Sequence, residues 1–198
     1  MVAAATGLVA PALRAEESGA CIAGNLSSPI KIEVFSDYQC PACRAFYLNT
    51  MRTILPEYGD SGKACVIYRE FPLSIHTHSR QAARYGYAAM RLGVRQWTQV
   101  TDALFMNQDL WAASGDIESV VAKALSKADL DALHKQLQNS AAIDTAIDAD
   151  ISLGTQRAVN ATPTLFVTAK GNTQKIAAAV QYPILKRYLD SLLTPQGK

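Results

Sequence analysis

Two thiols two residues apart, in Cys40-Pro41-Ala42-Cys43, are the groups in this chain whose type and spacing suit redox chemistry. Such a pair closes a small disulfide ring and opens it again by thiolate attack. The thiolate is the reactive species, so whatever stabilises it decides the chemistry. Pro41 suits the first position of a helix, and a cysteine just before it meets the positive end of the helix dipole and free backbone N–H groups. In such contexts a cysteine pKa falls from ~8.5 to about 3.5–7.5. The spacing predicts Cys40 as an exposed nucleophile and Cys43, one turn further in, as a buried resolving thiol. Two other uses fit the same atoms: an inert structural bridge, or half of a zinc site completed by His76 and His78. The proline and the amphipathic run after Cys43 suit a helix start better than either.

The elements that must hold these thiols can be read around them. Residues 30–36 alternate loosely and carry β-branched side chains, as a strand does. From Pro41 the apolar residues Ala42, Phe46, Met51, Ile54, Leu55 and Tyr58 recur at roughly helical spacing. Pro56 is expected to bend or end that helix, and Gly59-Asp60-Ser61-Gly62 terminates it. A second strand follows over 64–69, completing a strand–helix–strand crossover of the kind that builds parallel sheets. Helical patterns then fill 77–92, 96–105, 116–125, 130–138 and 144–159, separated by turn signals at Gly93, Ser114-Gly115, Asn139-Ser140 and Asn160. Strand character returns at 164–168, Lys170-Gly171-Asn172-Thr173 is a hairpin turn, and 174–177 is its short partner strand. An amphipathic helix over 182–193 closes the chain. The fold class is α/β, ordered β-α-β, a helical block, then β-β-α. The reading assigns 21–74 and 160–198 to one sheet-based domain and 75–159 to an inserted helical domain.

Bulk composition narrows the function classes. The chain has 198 residues, 49% hydrophobic and 18% charged, with a net charge of +2. Without a basic run, that balance argues against a nucleic-acid partner. Residues 1–20 read as a signal-like or disordered terminus, with Ala10-Pro11-Ala12 as an A-x-A cleavage site and a second candidate after Ala15. Of the four cysteines, Cys21 and Cys65 remain outside the CxxC pair, and the sequence leaves open whether they are joined.

Three segments together resemble the DsbA-like branch of the thioredoxin superfamily: residues 35–44 around the CxxC, Arg69-Glu70-Phe71-Pro72-Leu73 with His76 downstream, and Ala161-Thr162-Pro163-Thr164-Leu165-Phe166-Val167. The resemblance covers nearly all of the chain past Ile22. It implies a thioredoxin fold with a helical insertion, working as a thiol–disulfide oxidoreductase in the periplasm or another extracytoplasmic space. It also implies that Pro163 is cis and faces Cys40, leaving the Thr162 backbone free to pair with an extended substrate segment. The expected partners are exported proteins carrying thiols and a membrane or soluble redox partner for recycling. No cofactor or metal is expected, and the chain is expected to act as a monomer. Pro41-Ala42 departs from the family's usual proline followed by histidine or tyrosine, a position that tunes the redox potential.

The leading expectation is an oxidase that donates the Cys40–Cys43 disulfide. A reductase or isomerase, and a non-catalytic thioredoxin-like binding module, are the alternatives. Glu33 and Asp37 are candidate acids for moving a proton at Cys43. His76 and His78 are expected to cap or lead into the first inserted helix, and Trp97 and Trp111 to anchor the helical core.

Overall fold

The computed structural model describes residues 19–194. The cleavage-site reading therefore lies outside the described residues. Four strands form one sheet in the order β2-β1-β3-β4. Strand β1 (Ile30–Ser36) pairs in parallel with β2 (Ala64–Glu70) and antiparallel with β3 (Thr164–Ala169), which pairs antiparallel with β4 (Asn172–Ile176). Lys170 and Gly171 both have positive φ, 50° and 77°, so the hairpin turns on these two residues. Asn172 and Thr173, read as turn from sequence, already belong to β4.

Helix α1 occupies residues 41–60 between the parallel strands. It is α-helical over Pro41–Phe46 and Arg52–Ile54, and widens to π-helical turns over Tyr47–Met51 and Leu55–Asp60. The second wide turn takes in Pro56, which lacks an N–H, so the helix passes the proline and ends before Gly62, where φ is +75°. Six helices follow β2: α2 (Ser79–Leu92), α3 (Val94–Met106), α4 (Gln108–Trp111), α5 (Ile117–Ala124), α6 (Lys127–Gln138) and α7 (Ser140–Gln156). Helix α8 (Tyr182–Leu193) closes the fold.

Caps account for the helix boundaries that the apolar spacing missed. Ser126 accepts from the Asp129 N–H and starts α6 three residues ahead of Leu130. Helix α7 starts directly after Asn139, the N-cap position, where the side chain makes no capping hydrogen bond, so Ser140 lies inside the helix and not in a turn. It stops at Gln156, ahead of Ala158 at φ 55°. The four residues of α4 are too few to show a period.

The two faces of β1 have different neighbours. Ile30, Ile32 and Val34 join Cys43, Phe46 and Tyr47 of α1 and Leu185 and Leu189 of α8 in the main core. Each fully buried aliphatic side chain there contributes roughly 1.5–3 kcal/mol. On the other face Phe35 packs with Phe71, Val159 and Phe166. The insertion shares the main core through aromatic contacts: Tyr47 stacks on Phe105 at 4.9 Å, Tyr38 lies 5.1 Å from Phe105, and Tyr68 meets Trp97 at 5.2 Å. Trp97 and Trp111 are fully buried, as expected of core anchors.

Cys21 and Cys65 form a disulfide with Cα atoms 5.3 Å apart. The Ile22 N–H donates to the Val66 carbonyl at 2.7 Å, so this segment lies along the outer edge of β2 and the bridge fastens it there.

Candidate active site

Backbone geometry places Cys40 at the helix start. It is the N-cap of α1, with φ −76° and ψ 122°, and its carbonyl accepts from the Arg44 N–H at 3.1 Å. Pro41 takes the first helical position, where a missing N–H costs nothing. The loop before it is held by Asp37, whose buried carboxylate accepts from the Gln39 N–H at 2.8 Å, the Leu73 N–H at 2.8 Å and the Ser79 hydroxyl. His76 Nδ1 lies 2.7 Å from the same carboxylate. This contact ties the His76 ring to the carboxylate that holds the loop. His78 is the N-cap of α2, and its N–H donates to Gln39 Oε1 at 2.8 Å. Both histidines thus tie the loop to the start of the insertion.

One residue of this frame has no sequence signal. Gln108 of α4 is buried, and its amide donates to the carbonyls of Tyr38 at 2.7 Å and Cys40 at 3.2 Å. Gln39 in turn donates to the Ala112 carbonyl at 2.8 Å. The insertion therefore braces the loop through side-chain amides, a type too common to single out by composition.

The two sulfurs are free and differ in environment. Cys40 is 7% exposed, so the expectation of an open nucleophile is corrected: Thr162, Gln108 and the loop shield most of it. Its thiol donates to the Thr162 carbonyl at 3.4 Å. The Cys43 side chain is the largest influence on its pKa and lowers it; burial works in the opposite direction. Thr162 and the first-turn N–H groups of Cys43 and Ala42 add to the lowering, and the net result is a pKa of about 5. Cys43 is fully buried, and burial pushes its pKa well up, with Cys40 adding to the rise. The Asp37 N–H points at its sulfur from 3.4 Å. At neutral pH this pair holds one thiolate and one thiol, which suits attack by the first and resolution by the second.

Thr162 and Pro163 reach the site from the start of β3, and the peptide bond between them is cis. Glu33 does not reach it. It shares the face of β1 that carries Phe35, where it pairs with Arg157 at 3.0 Å, Arg69 at 3.2 Å and Lys31 at 3.4 Å. Burial alone would raise its pKa, but Arg157, with Lys31 and Arg69, holds the carboxyl below the usual range. Glu33 is thus an ion-paired carboxylate on the far face, and the expectation that it moves a proton at Cys43 fails.

A family model described as "Thioredoxin" matches residues 16–191. The chain belongs to the thioredoxin family. Among relatives of this thioredoxin-family chain is "Probable disulfide bond formation protein D" of Bacillus cereus, 26% identical over 148 residues, 73% of this chain and 68% of the relative. Solved structures similar in fold include α-DsbA1 of Wolbachia pipientis, with TM-score 0.71 and 21% identity, covering 86% of this chain and 88% of that one. Oxidised BdbD of Bacillus subtilis is another, with TM-score 0.68 and 19% identity, covering 86% and 91%. The DsbA-like resemblance of the three sequence segments is borne out, and with it the thioredoxin fold carrying a helical insertion.

Proposed function

We propose that this chain is an extracytoplasmic DsbA-like oxidase that donates the Cys40–Cys43 disulfide to exported proteins. As a member of this branch it is an enzyme of thiol–disulfide exchange; the direction of exchange and the location are the proposal. One observation carries it: Cys40 is the N-cap of α1 with its thiol 3.4 Å from the Thr162 carbonyl, one turn ahead of a fully buried Cys43, an arrangement that lowers the pKa of the first sulfur and raises that of the second. A stabilised Cys40 thiolate favours the dithiol over the disulfide, which makes the disulfide a stronger oxidant.

In this reading a substrate thiolate attacks Cys40 Sγ, forming the mixed disulfide and releasing Cys43. A second substrate thiol then attacks that bond, the substrate disulfide forms, and Cys40 leaves as thiolate. A separate redox partner takes up the two electrons and restores the Cys40–Cys43 bond. Thr162 and Pro163 are assigned to substrate binding: the Thr162 carbonyl already contacts the reacting sulfur, and an extended substrate segment laid there would bring its thiol to Cys40. The residue boundaries of the sheet domain, 21–74 and 160–198, and of the insertion, 75–159, belong to the same proposal, as does action as a monomer.

The reduction potential of the pair tests the direction. A value near the oxidising end, about −120 mV, supports a disulfide donor, and one near −270 mV marks a reductant and overturns the oxidase reading.

A further inference from the structure

The Cys21–Cys65 bond records an oxidation: two thiols gave up two electrons and two protons when it formed. In an exported chain those thiols belong to the class of groups that the Cys40–Cys43 disulfide is proposed to oxidise. Within one molecule the two pairs cannot meet. Cys65 pairs with Lys31 near the start of β2, whereas Cys40 follows the other end of the sheet, where Glu70 pairs with Ser36. From Cys65 to Glu70 the strand runs about 16 Å at the usual rise of a parallel strand. The pairs also lie on opposite faces. Ala64, Val66 and Tyr68 share the main core with Cys43, so strand alternation turns Cys65 to the far face, level with Lys31. A disulfide joins Cα atoms about 4.4–6.8 Å apart, so the folded chain cannot bring its own Cys40 sulfur to Cys21 or Cys65.

The Cys21 side of the bond suits an oxidant from outside. Cys21 is half-buried and lies in backbone outside any helix or strand, whereas Cys65 is fully buried in β2. Two hydrogen bonds hold this strap to the sheet edge: the Ile22 N–H donates to the Val66 carbonyl at 2.7 Å, and the Val66 N–H donates to the Ala23 carbonyl at 2.9 Å. Both fall after Cys21, so residues 19–21 can leave the edge and lie extended against Thr162 of another molecule. The seat of the strap is shaped by close backbone approach. A Cβ on Gly59 would collide with the Ala23 side chain, and one on Gly24, at φ 78°, would collide with the Ala64 carbonyl. Once the strap is seated, Cys21 and Cys65 have Cα atoms 5.3 Å apart, ready to close.

We infer that the Cys21–Cys65 bond is made in trans, by the Cys40–Cys43 disulfide of a second copy of this chain, so that the protein is one of its own substrates. The inference rests on the oxidase reading above. The acceptor's Cys21 thiolate attacks Cys40 Sγ of the donor, and the donor's Cys40–Cys43 bond breaks as the intermolecular bond forms. The acceptor's Cys65 thiolate then attacks Cys21 Sγ, the Cys21–Cys65 bond forms and the donor's Cys40 leaves as thiolate. Two electrons pass to the donor pair. Of the two protons, one is taken up by Cys43 and the other goes to water. The redox partner that restores the Cys40–Cys43 bond removes the electrons.

The test mixes donor and acceptor in the absence of air. The donor is the oxidised parent chain. The acceptor is a full chain carrying Cys40→Ser and Cys43→Ser, labelled with heavy nitrogen and reduced, so that its only thiols are Cys21 and Cys65. Alkylation of the thiols that remain, read by mass on the heavy chain, follows closure of the bond. Closure is expected to rise in proportion to donor concentration. It should run about 10-fold or more faster than with oxidised glutathione at equal concentration, because a less basic thiolate such as Cys40 leaves faster. Unlabelled chain carrying Cys40→Ser and Cys43→Ser, oxidised at Cys21–Cys65, should be inert as donor; equal donation from it overturns the inference. Should the acceptor fold poorly, heavy-labelled reduced parent chain takes its place and its Cys21 and Cys65 peptides are read. A donor that oxidises a reduced, unfolded reference protein yet leaves the acceptor at the glutathione rate overturns this inference alone. A donor that oxidises neither overturns the oxidase reading and this inference with it.

Discussion

Cys21 and Cys65 lie 44 residues apart and form a disulfide between the segment ahead of β1 and the edge strand β2. Cys40 and Cys43 lie within one helical turn and stand free, one at the helix start and the other beneath it. The first pair holds two pieces of chain together, and its sulfurs have no role in the thiol frame around the loop. The second pair joins nothing distant. Its distinction is asymmetry: the helix start and a neighbouring thiol lower one pKa while burial raises the other. A shared chemistry yields a staple in one place and a reactive pair in the other because of surroundings alone.

Removing sulfurs should break this comparison most sharply. Cys40→Ser is expected to abolish disulfide donation to a reduced, unfolded protein. Cys43→Ser should leave Cys40 able to form mixed disulfides that then accumulate, seen as trapped complexes on non-reducing gels. Donation that survives Cys40→Ser would dissolve the distinction between the pairs. The double replacement Cys21→Ser, Cys65→Ser should act in the opposite sense. Exchange rates stay within about two-fold, while unfolding in denaturant loses about 2–4 kcal/mol, the usual worth of a long-loop disulfide. A collapse of exchange in a variant that remains folded would show the staple to be part of the reactive site.

A smaller effect separates the two redox states of the reactive pair. In the dithiol form the Cys40 pKa is lowered on folding, so its contribution to stability is complete above the unfolded thiol's pKa, ~8.5, and is lost as pH falls through about 5. The oxidised form has no titrating thiol at this site. Stability of the reduced form relative to the oxidised form should therefore rise with pH across that window. Parallel denaturation curves from pH 5 to 8 would contradict the assigned environment.

Much of this was legible in the sequence. The CxxC after a strand, the proline opening α1 and the Thr162-Pro163 pair ahead of β3 carry local signals, and the fold order followed from them. The face assignments did not. Strands β1 and β2 are buried almost throughout, so neither shows the alternation that would say which side of the sheet Glu33 faces. Only the register puts Glu33 among arginines. Gln108 and the Cys21–Cys65 bridge were hidden for a related reason. Both depend on distances across the fold, such as the 5.3 Å between the two Cα atoms, which spacing along the chain does not encode.

The central claim is that the environment of Cys40 makes it a thiolate at neutral pH. The direct measurement is the rate of Cys40 alkylation in the reduced chain, with the modified residue identified by mass, followed from pH 3 to 10. The account predicts a midpoint near 5 and a plateau through neutrality. A midpoint at the ordinary thiol value, ~8.5, would contradict it.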